Sequence, residues 1–284
     1  MAKTIGNPFS WAAQHLGASG THLAESSAVL GGTTHSQPQI RDLHLSDLRG
    51  ALRAGIDDFM ASRTDAMLAV VIYPLAGLLL IIVGFQLNAV HLLFPLLAGF
   101  ALLGPVAAVG LYQISRQREA GQDANWADAF GVVKAPGFGA ILVLGIGLGA
   151  LFLIWIVTAH LIHMWTIGPD PAASFSQFLR DVFQTSAGWT MIVVGVGVGF
   201  VFALVALAVS VVSFPLLLDR QVGVPTAVVT SVRVMRRNPG VILCWGLIVA
   251  TLLVLGAIPI LAGLILIIPI LGHATWHLYR RAVV

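Results

Sequence analysis

Paired histidines are the residues of this chain whose spacing could bind a metal ion. His273 and His277 lie four residues apart, which places both imidazoles on one face of a helix. His160 and His163 form a second pair, which His91 could approach. Zinc needs further ligands, and histidines near the end of a helix can instead face lipid headgroups or the helix dipole. We therefore expect no metal and no other cofactor at either pair.

A second set of polar residues follows three of the most apolar segments. It consists of Tyr112, Arg116 and Glu119, then Asp219 and Arg220, then His273, Trp276, His277, Tyr279 and Arg280. A carboxylate such as Asp219 is costly near a membrane unless it is paired, and Arg116 or Arg280 is the expected partner. Two interpretations stay open: a pocket for an anionic headgroup, a phosphate or a proton, or an interfacial anchor of snorkelling arginines and aromatic rings.

Glycines at four-residue intervals predict helix packing. Gly145 and Gly149, and likewise Gly195 and Gly199, lie inside apolar segments and follow no predicted strand, so they are not a nucleotide-binding loop. Such faces let helix backbones approach closely, and we expect the third and fourth helices to cross there, within the chain or between subunits. Because the sequence also has no Ser-His-Asp, His-Glu-x-x-His or phosphate-loop motif, we predict no enzymatic activity.

The composition places these residues in a membrane protein. Of 284 residues, 58% are hydrophobic and 10% are charged, and the mean hydropathy is +0.93. Soluble domains average roughly 45–50% apolar and about 25% charged residues, so an ordinary soluble enzyme, a disordered chain and a coiled coil are excluded. The net charge of +3 comes from basic residues spread over loops, which does not indicate nucleic-acid binding. We expect a flexible cytoplasmic tail at 1–45 and a membrane domain at 46–284.

Long uncharged runs predict an all-α bundle of six transmembrane helices. The expected spans are 67–85, 91–115, 138–160, 189–213, 240–256 and 261–279. The uncharged run Asn238–Tyr279 would extend about 63 Å as one helix, twice the hydrocarbon thickness, so we place a break at Gly256–Gly263. A re-entrant hairpin entering from the inner face is the alternative for the last two short spans.

The basic residues predict the orientation of these spans. With a cytoplasmic N-terminus, fourteen of the 15 lysines and arginines fall on the inner side, and Arg180 alone falls outside. This asymmetry is typical of positively charged cytoplasmic loops. We therefore expect a multi-pass protein of the bacterial inner membrane with both termini in the cytoplasm.

Amphipathic patterns predict helices on the membrane surface. Leu48, Leu52, Ile56 and Phe59 recur at helical spacing before the first span, and similar helices are expected at 125–134 and 224–237. Each would be followed by two spans, which favours three repeats of a surface helix plus a helical hairpin. Alternatively, the shared prolines and arginines of these units reflect only the common placement of such residues at helix ends. A capping box at Ser174 predicts one further helix on the outer face.

Three motifs carry a resemblance to a known family. The segments Leu103–Arg116, Ser210–Arg220 and Leu271–Arg281 resemble the domain of unknown function 2189 family, over roughly residues 40–284. The resemblance implies a polytopic membrane protein, mainly of proteobacteria, of unestablished activity, so no catalytic residue is carried over. Some members carry a cytochrome c oxidase label. Six spans, with histidines near opposite faces, argue against a haem–copper catalytic subunit but are compatible with an accessory of a respiratory complex.

The sequence leaves three functional hypotheses. The first is a non-enzymatic accessory, assembly or scaffolding factor, whose partners would be membrane lipids and another membrane protein or a second copy of the chain. The second is a small-molecule or lipid transporter with an inner-face pocket around Asp219. The third is a haem- or metal-binding redox subunit.

Overall fold

Regular structure in this protein is almost entirely helical. The computed structural model describes residues 38–62, 66–67, 70–122, 126–169 and 174–284. The α-helices are α1 (Leu45–Ala61), α2 (Ile72–Gln86), α3 (Leu93–Phe100), α4 (Gly104–Ala107), α5 (Val109–Glu119), α6 (Phe138–Thr166), α7 (Phe175–Gln184), α8 (Ser186–Ser210), α9 (Ser213–Asp219), α10 (Val224–Arg237), α11 (Pro239–Ala257) and α12 (Leu264–Ala282). Short 3-10 helices lie at Val90–Leu92, Ala101–Leu103 and Trp126–Lys134.

Four helical segments of the described chain are long and apolar enough to cross a membrane. They are Val90–Glu119, Phe138–Thr166, Ser186–Asp219 and Pro239–Ala257. The apolar helix α2 is shorter, with 15 residues. The last helix, α12, is apolar in its first half but carries Arg280 and Arg281 in its last turn. The prediction of a helical membrane protein is therefore confirmed, with four candidate spans among the described residues.

Prolines coincide with breaks in two of these spans. The segment Val90–Glu119 contains Pro105 and is divided into short helices, of which α5 is the last. In Ser186–Asp219, α8 ends at Ser210 and α9 begins at Ser213, two residues before Pro215. Proline has no N–H to continue the helical ladder, so the chain is free to change direction there. The helices α5 and α9 can therefore point in directions different from those of the helices before them in the same spans. The helix α12, in contrast, continues through Pro269.

The amphipathic helix α1 packs across α12 at very close range. A Cβ placed on Gly55 would lie 2.6 Å from the backbone nitrogen of Ala274, so only glycine permits this contact. The buried face of α1 contains Leu48, Ala51, Gly55, Asp58 and Phe59. Of the predicted apolar face, Leu48 and Phe59 are buried here and Leu52 is half-buried.

The side chain of Ile56 is 45% exposed, while the charged Asp58 is buried. The small residues Ala51 and Gly55 lie on the buried face and allow the close approach of α1 to α12.

The first described residues are joined to the C-terminal residues. Ile40 and Val283 form an isolated antiparallel bridge, and Arg41 donates its backbone N–H to the carbonyl of Ala282 at 3.0 Å. Most of the predicted flexible tail, residues 1–37, lies outside the described residues. The part that is described, 38–44, is attached to the C-terminus, unlike the free segment that we expected.

The hairpin between α11 and α12 lies where the sequence predicts a break. A Cβ on Gly263 would meet the Cα of Gly256 at 2.8 Å, so the two glycines allow the helices to meet at the turn. Ile260 and Leu261 adopt left-handed backbone angles, with φ of 50° and 64°. Such angles are costly for a β-branched residue, which marks this turn as constrained by the two helices.

The remaining predicted surface helices are present in different forms. The helix α10 has a proline in its first turn and Arg236 and Arg237 in its last, as predicted. The segment Trp126–Lys134 is a 3-10 helix, and Asn125 lies outside the described residues. On the opposite side, the Ser174 hydroxyl accepts the backbone N–H of Gln177 at 3.2 Å and caps α7 as expected.

Replacement of Gly55 by alanine tests the contact between α1 and α12. We expect Gly55→Ala to destabilise the protein by about 1–3 kcal/mol, because the added methyl group meets the backbone of Ala274. The measurement is the melting temperature of the detergent-solubilised protein. Gly147→Ala is the matched control, since nothing lies within 4 Å of a Cβ at Gly147. Equal melting temperatures for the two variants would contradict the packing described here.

Candidate functional site at the basic end of the helices

The candidate site lies where the last turns of α5, α9 and α12 meet. These three helices contact one another, and α1 crosses α12 beside them. We call this region the basic end, because Arg116, Arg220 and Arg280 lie there. It brings the predicted polar residues into two adjacent clusters, which we name the Asp219 network and the Asp58 network.

The Asp219 network joins the carboxylates of α9 and α5 through α12. Tyr279 donates its hydroxyl to Asp219 at 2.6 Å, and Arg280 lies 3.4 Å from the same carboxylate oxygen. Arg280 also donates to Glu119 at 3.0 Å, and the Trp276 indole donates to the second oxygen of Glu119 at 3.0 Å. One guanidinium therefore bridges two acids from different helices.

The two other arginines of the predicted cluster bond mainly to backbone carbonyls. Arg116, the alternative partner for Asp219, instead donates to the carbonyl of Leu218. Arg220 donates to the carbonyl of Val284 at 3.3 Å, and its Nε lies 3.9 Å from Asp219. These contacts hold the end of α9 against α5 and the C-terminus. Of the two expected partners, Arg280 is thus the one that pairs with Asp219.

The Asp58 network is centred on a residue that the sequence did not single out. The Asp58 carboxylate accepts the Ser115 hydroxyl at 2.7 Å and the Arg118 Nε–H at 3.0 Å, and His277 Nε2 lies 2.9 Å away. Ser115 also lies 2.8 Å from His273 Nδ1. Asp58, on α1, is thereby bonded to both α5 and α12.

Two opposing effects set the protonation of Asp58. Burial raises the pKa of its carboxyl group, but hydrogen bonds from His277, Ser115 and Arg118 outweigh burial and lower the pKa from 3.8 to about 2. Asp58 is therefore ionised at neutral pH. A buried carboxylate is tolerated there because three donors surround it.

Tyr112 and His273 lie inside this packing. Their side chains are 1% and 0% exposed, and Tyr112 lies beside Thr275 of α12. His273 Nε2 is buried with no hydrogen-bond partner among the described residues. The two side chains therefore belong to a packed interior.

The histidine pair of α12, His273 and His277, is in contact with polar side chains of α5 and α1. The Nδ1 of His273 faces Ser115 and the Nε2 of His277 faces Asp58, so each pair member already has a polar neighbour. Within the described residues, no group of three or more His, Cys, Asp or Glu side chains could hold a metal ion.

The other histidine pair, His160 and His163, lies near the C-terminal end of α6 and is in contact with His91. The Nε2 of His91 lies 3.1 Å from His160 Nδ1, and the His91 ring stacks on that of His163 with centroids 4.2 Å apart. The approach of His91 to this pair is thus confirmed. His91 is therefore within hydrogen-bond distance of His160 and stacked on His163.

The four predicted packing glycines differ in their surroundings. A Cβ on Gly199 would lie 3.0 Å from Trp155 of α6, and one on Gly145 would lie 3.5 Å from Val106. Nothing lies within 4 Å of a Cβ on Gly149 or Gly195. The helices α6 and α8 do pack together, but the crossing uses Gly199 and a large indole in place of glycine against glycine.

Three functional candidates were missed by the sequence analysis: Asp58, Ser115 and Arg118. One signal was available, because Asp58 follows Ala51 and Gly55 at helical spacing and so shares a face with small residues. Nothing in the sequence identified Ser115 of α5 as its partner.

Replacement of Asp58 by asparagine tests the network. We expect Asp58→Asn to destabilise the protein by on the order of 1–3 kcal/mol, because the amide group would face donors that need an acceptor. Asp57→Asn is the matched control, since Asp57 is exposed on the same helix. Melting temperatures in detergent measure both.

We expect the difference in stability between wild type and Asp58→Asn to depend on pH. Because folding lowers the pKa of Asp58 from 3.8 to about 2, its stabilising contribution is complete above about pH 3.8 and is lost as the pH falls through about 2. The difference in melting temperature between wild type and Asp58→Asn should therefore be constant above this window and narrow within it. A difference that is independent of pH down to 2 would contradict an ionised Asp58.

Comparison with known proteins gives one match. Residues 93–219 match the family described as predicted integral membrane protein (DUF2189). This segment runs from α3 through α9 and contributes Ser115, Arg118 and Asp219 to the site, while the motif Leu271–Arg281 lies beyond it. No curated protein and no solved structure matches the chain significantly. The resemblance seen in the sequence is therefore confirmed over residues 93–219, where the chain matches the model of this family of predicted integral membrane proteins.

Proposed function

We propose that this protein is a non-enzymatic accessory, assembly or scaffolding factor of the bacterial inner membrane. It binds another membrane protein, or a second copy of itself, through its lipid-facing helices. The observation that carries this proposal is a set of open glycine positions on α6 and α8. Apart from the adjacent turns of their own helices, no atom of the described residues lies within 4 Å of a Cβ at Gly147, Gly149, Gly195 or Gly197. The resemblance of the sequence makes a respiratory complex the first class of partner to examine.

The surroundings of these glycines support a protein partner. Ile146 and Val196, next to them on α6 and α8, are 64% and 57% exposed. Gaps of this shape let a second helix approach closely and gain van der Waals contacts that fluid lipid chains make less well. Most polar groups of the basic end, by contrast, are hydrogen-bonded or ion-paired with one another and stabilise the packing of the helices there.

The transporter hypothesis receives less support. It requires an opening lined by Tyr112, Arg116, Asp219 and His273. Tyr112 and His273 are fully buried, and Arg116 is bonded to a backbone carbonyl. The redox hypothesis rests only on the histidines, and an absorption spectrum of the purified protein checks it.

The topology that we propose has six crossings with both termini in the cytoplasm. The asymmetry of lysine and arginine supports it. The helices α11 and α12 each have 19 residues and so extend about 28 Å, close to the hydrocarbon thickness. With α1, Trp126–Lys134 and α10 each followed by two apolar helices, this topology consists of three repeats of a surface helix plus a helical hairpin.

Cysteine labelling tests this topology. Cys244 is the only cysteine of the chain, so Cys244→Ala provides a cysteine-free background. We expect Ile260→Cys, at the exposed turn between α11 and α12, to react with a membrane-impermeant maleimide in intact cells. Val284→Cys, at the C-terminus, should react only after the membrane is opened. An Ile260→Cys protein that also requires opening would indicate a re-entrant hairpin.

Substitution of the open glycines tests the scaffolding function. We expect the wild-type protein, purified in mild detergent, to form a stoichiometric complex with one partner or with itself. The double variant Gly149→Leu/Gly195→Leu should lose this complex, because the new side chains fill the surface where a partner helix packs. Light scattering with mass spectrometry measures the composition.

The control for that experiment is Gly240→Leu. Gly240 is equally open but lies at the start of α11, away from the open glycines of α6 and α8. A monomeric wild-type protein, or a complex that survives the double substitution at wild-type yield, would contradict the proposal.

A further inference from the structure

The helix α1 has a second face beside the one that packs on α12. This second face, which we call the exposed face of α1, consists of Leu45, Arg49, Arg53, Ile56 and Met60. Because successive residues of a helix point about 100° apart, the five side chains fall within a sector of about 80°. Leu45, Ile56 and Met60 are 63%, 45% and 60% exposed, and both arginines are exposed as well. Large apolar and basic side chains are thus interleaved on one open surface.

Two close contacts show how α1 lies along α12. A Cβ on Gly50 would lie 3.1 Å from Nη2 of Arg281, and a Cβ on Gly55 would lie 2.6 Å from the backbone nitrogen of Ala274. From Gly50 to Gly55, α1 therefore passes from the basic last turn of α12 towards its apolar half. With α12 as the sixth crossing, the exposed face of α1 begins at the level of the lipid headgroups and continues towards the hydrocarbon.

The arginines of this face have no acidic partner among the described residues. Neither Arg49 nor Arg53 forms a hydrogen bond or an ion pair with any described residue. A third arginine, Arg281, lies against Gly50 at the edge of the face and donates to the backbone carbonyl of His277 at 3.1 Å. Three guanidinium groups therefore lie near the first half of α1 without a carboxylate bound to them.

The acidic residues of α1 do not cancel this charge. Asp47 points away from the exposed face and accepts the backbone N–H of His44 at 2.8 Å, and Asp58 is buried and ion-paired with Arg118 at 3.0 Å. Asp57 is exposed at the edge of the face, one turn beyond Arg53, and no ion pair joins them. The balance on and beside the face is thus three positive charges against one negative charge.

The side chains between the arginines select the kind of anion. Guanidinium groups match the geometry of phosphate oxygens, which they bind through paired N–H donors. A soluble phosphate would gain nothing from Leu45, Ile56 and Met60, whereas a phospholipid offers its acyl chains to them and its phosphate to the arginines. Basic residues interleaved with large apolar ones are typical of helices that bind an anionic membrane surface.

We propose that the exposed face of α1 binds anionic phospholipids, with Arg49 and Arg53 on the headgroup phosphates and the apolar side chains against the acyl chains. The helix then lies between α12 on one side and lipid on the other. The inference does not depend on the scaffolding function, because it uses different residues on a different helix. It does use the proposed crossing of α12, which the labelling of Ile260→Cys tests separately.

The test uses the full-length protein in nanodiscs that contain phosphatidylcholine and phosphatidylglycerol. Native mass spectrometry counts the lipids retained after release. We expect the wild type to retain phosphatidylglycerol over phosphatidylcholine, and Arg49→Gln/Arg53→Gln to reduce this preference about tenfold. The control, Arg41→Gln/Arg236→Gln, removes the same charge from exposed positions outside α1 and should keep the preference.

Three results would overturn the proposal. They are equal retention of the two lipids by the wild type, an unchanged preference in Arg49→Gln/Arg53→Gln, and an equal loss in the control. A further arm adds inorganic phosphate at millimolar concentration. Displacement of the retained lipid by free phosphate would assign the arginines to a soluble anion and would also overturn the proposal, whereas retention supports the lipid.

Discussion

The ionised carboxylate of Asp58 is the interaction on which the basic end depends. It joins α1 to Ser115 and to His277, which are 57 and 219 positions away in the sequence. An ionised group in such surroundings is stable only while its donors are present, so the three elements are stabilised in one arrangement. The contact at Gly55 stabilises the same arrangement, because it brings the backbone of α1 close enough for the short Asp58 side chain to reach these donors.

The helix α12 supplies side chains to both networks and so contacts three neighbouring helices. Successive residues of a helix point in directions about 100° apart, so a short polar stretch can reach several helices at once. Trp276 contacts Glu119 of α5, His277 contacts Asp58 of α1, and Tyr279 contacts Asp219 of α9. This explains why the last helix loses its apolar character where the others converge. Its polar residues replace, inside the protein, the hydrogen bonds that water would otherwise make.

The described surface therefore divides into regions with different physical properties. The polar groups of the basic end pair mainly with one another, while several glycines of α6 and α8 have no described neighbour within 4 Å of a Cβ position. The arginines Arg233, Arg236 and Arg237 lie on an exposed face of α10.

The sequence by itself determined the helical membrane class, the break at Gly256–Gly263 and the need of Asp219 for an arginine partner, whereas the structure selected Arg280 over Arg116. Each follows from a local rule: apolar run length, glycine content, or the cost of an unpaired charge beside a membrane. The tertiary structure alone decided that Asp58 would be buried and Ile56 exposed, and that Gly149 and Gly195 would remain open. A periodic pattern defines the faces of a helix, but which face is covered depends on how closely the neighbouring backbone can approach, and that distance is set by residues far away in the chain.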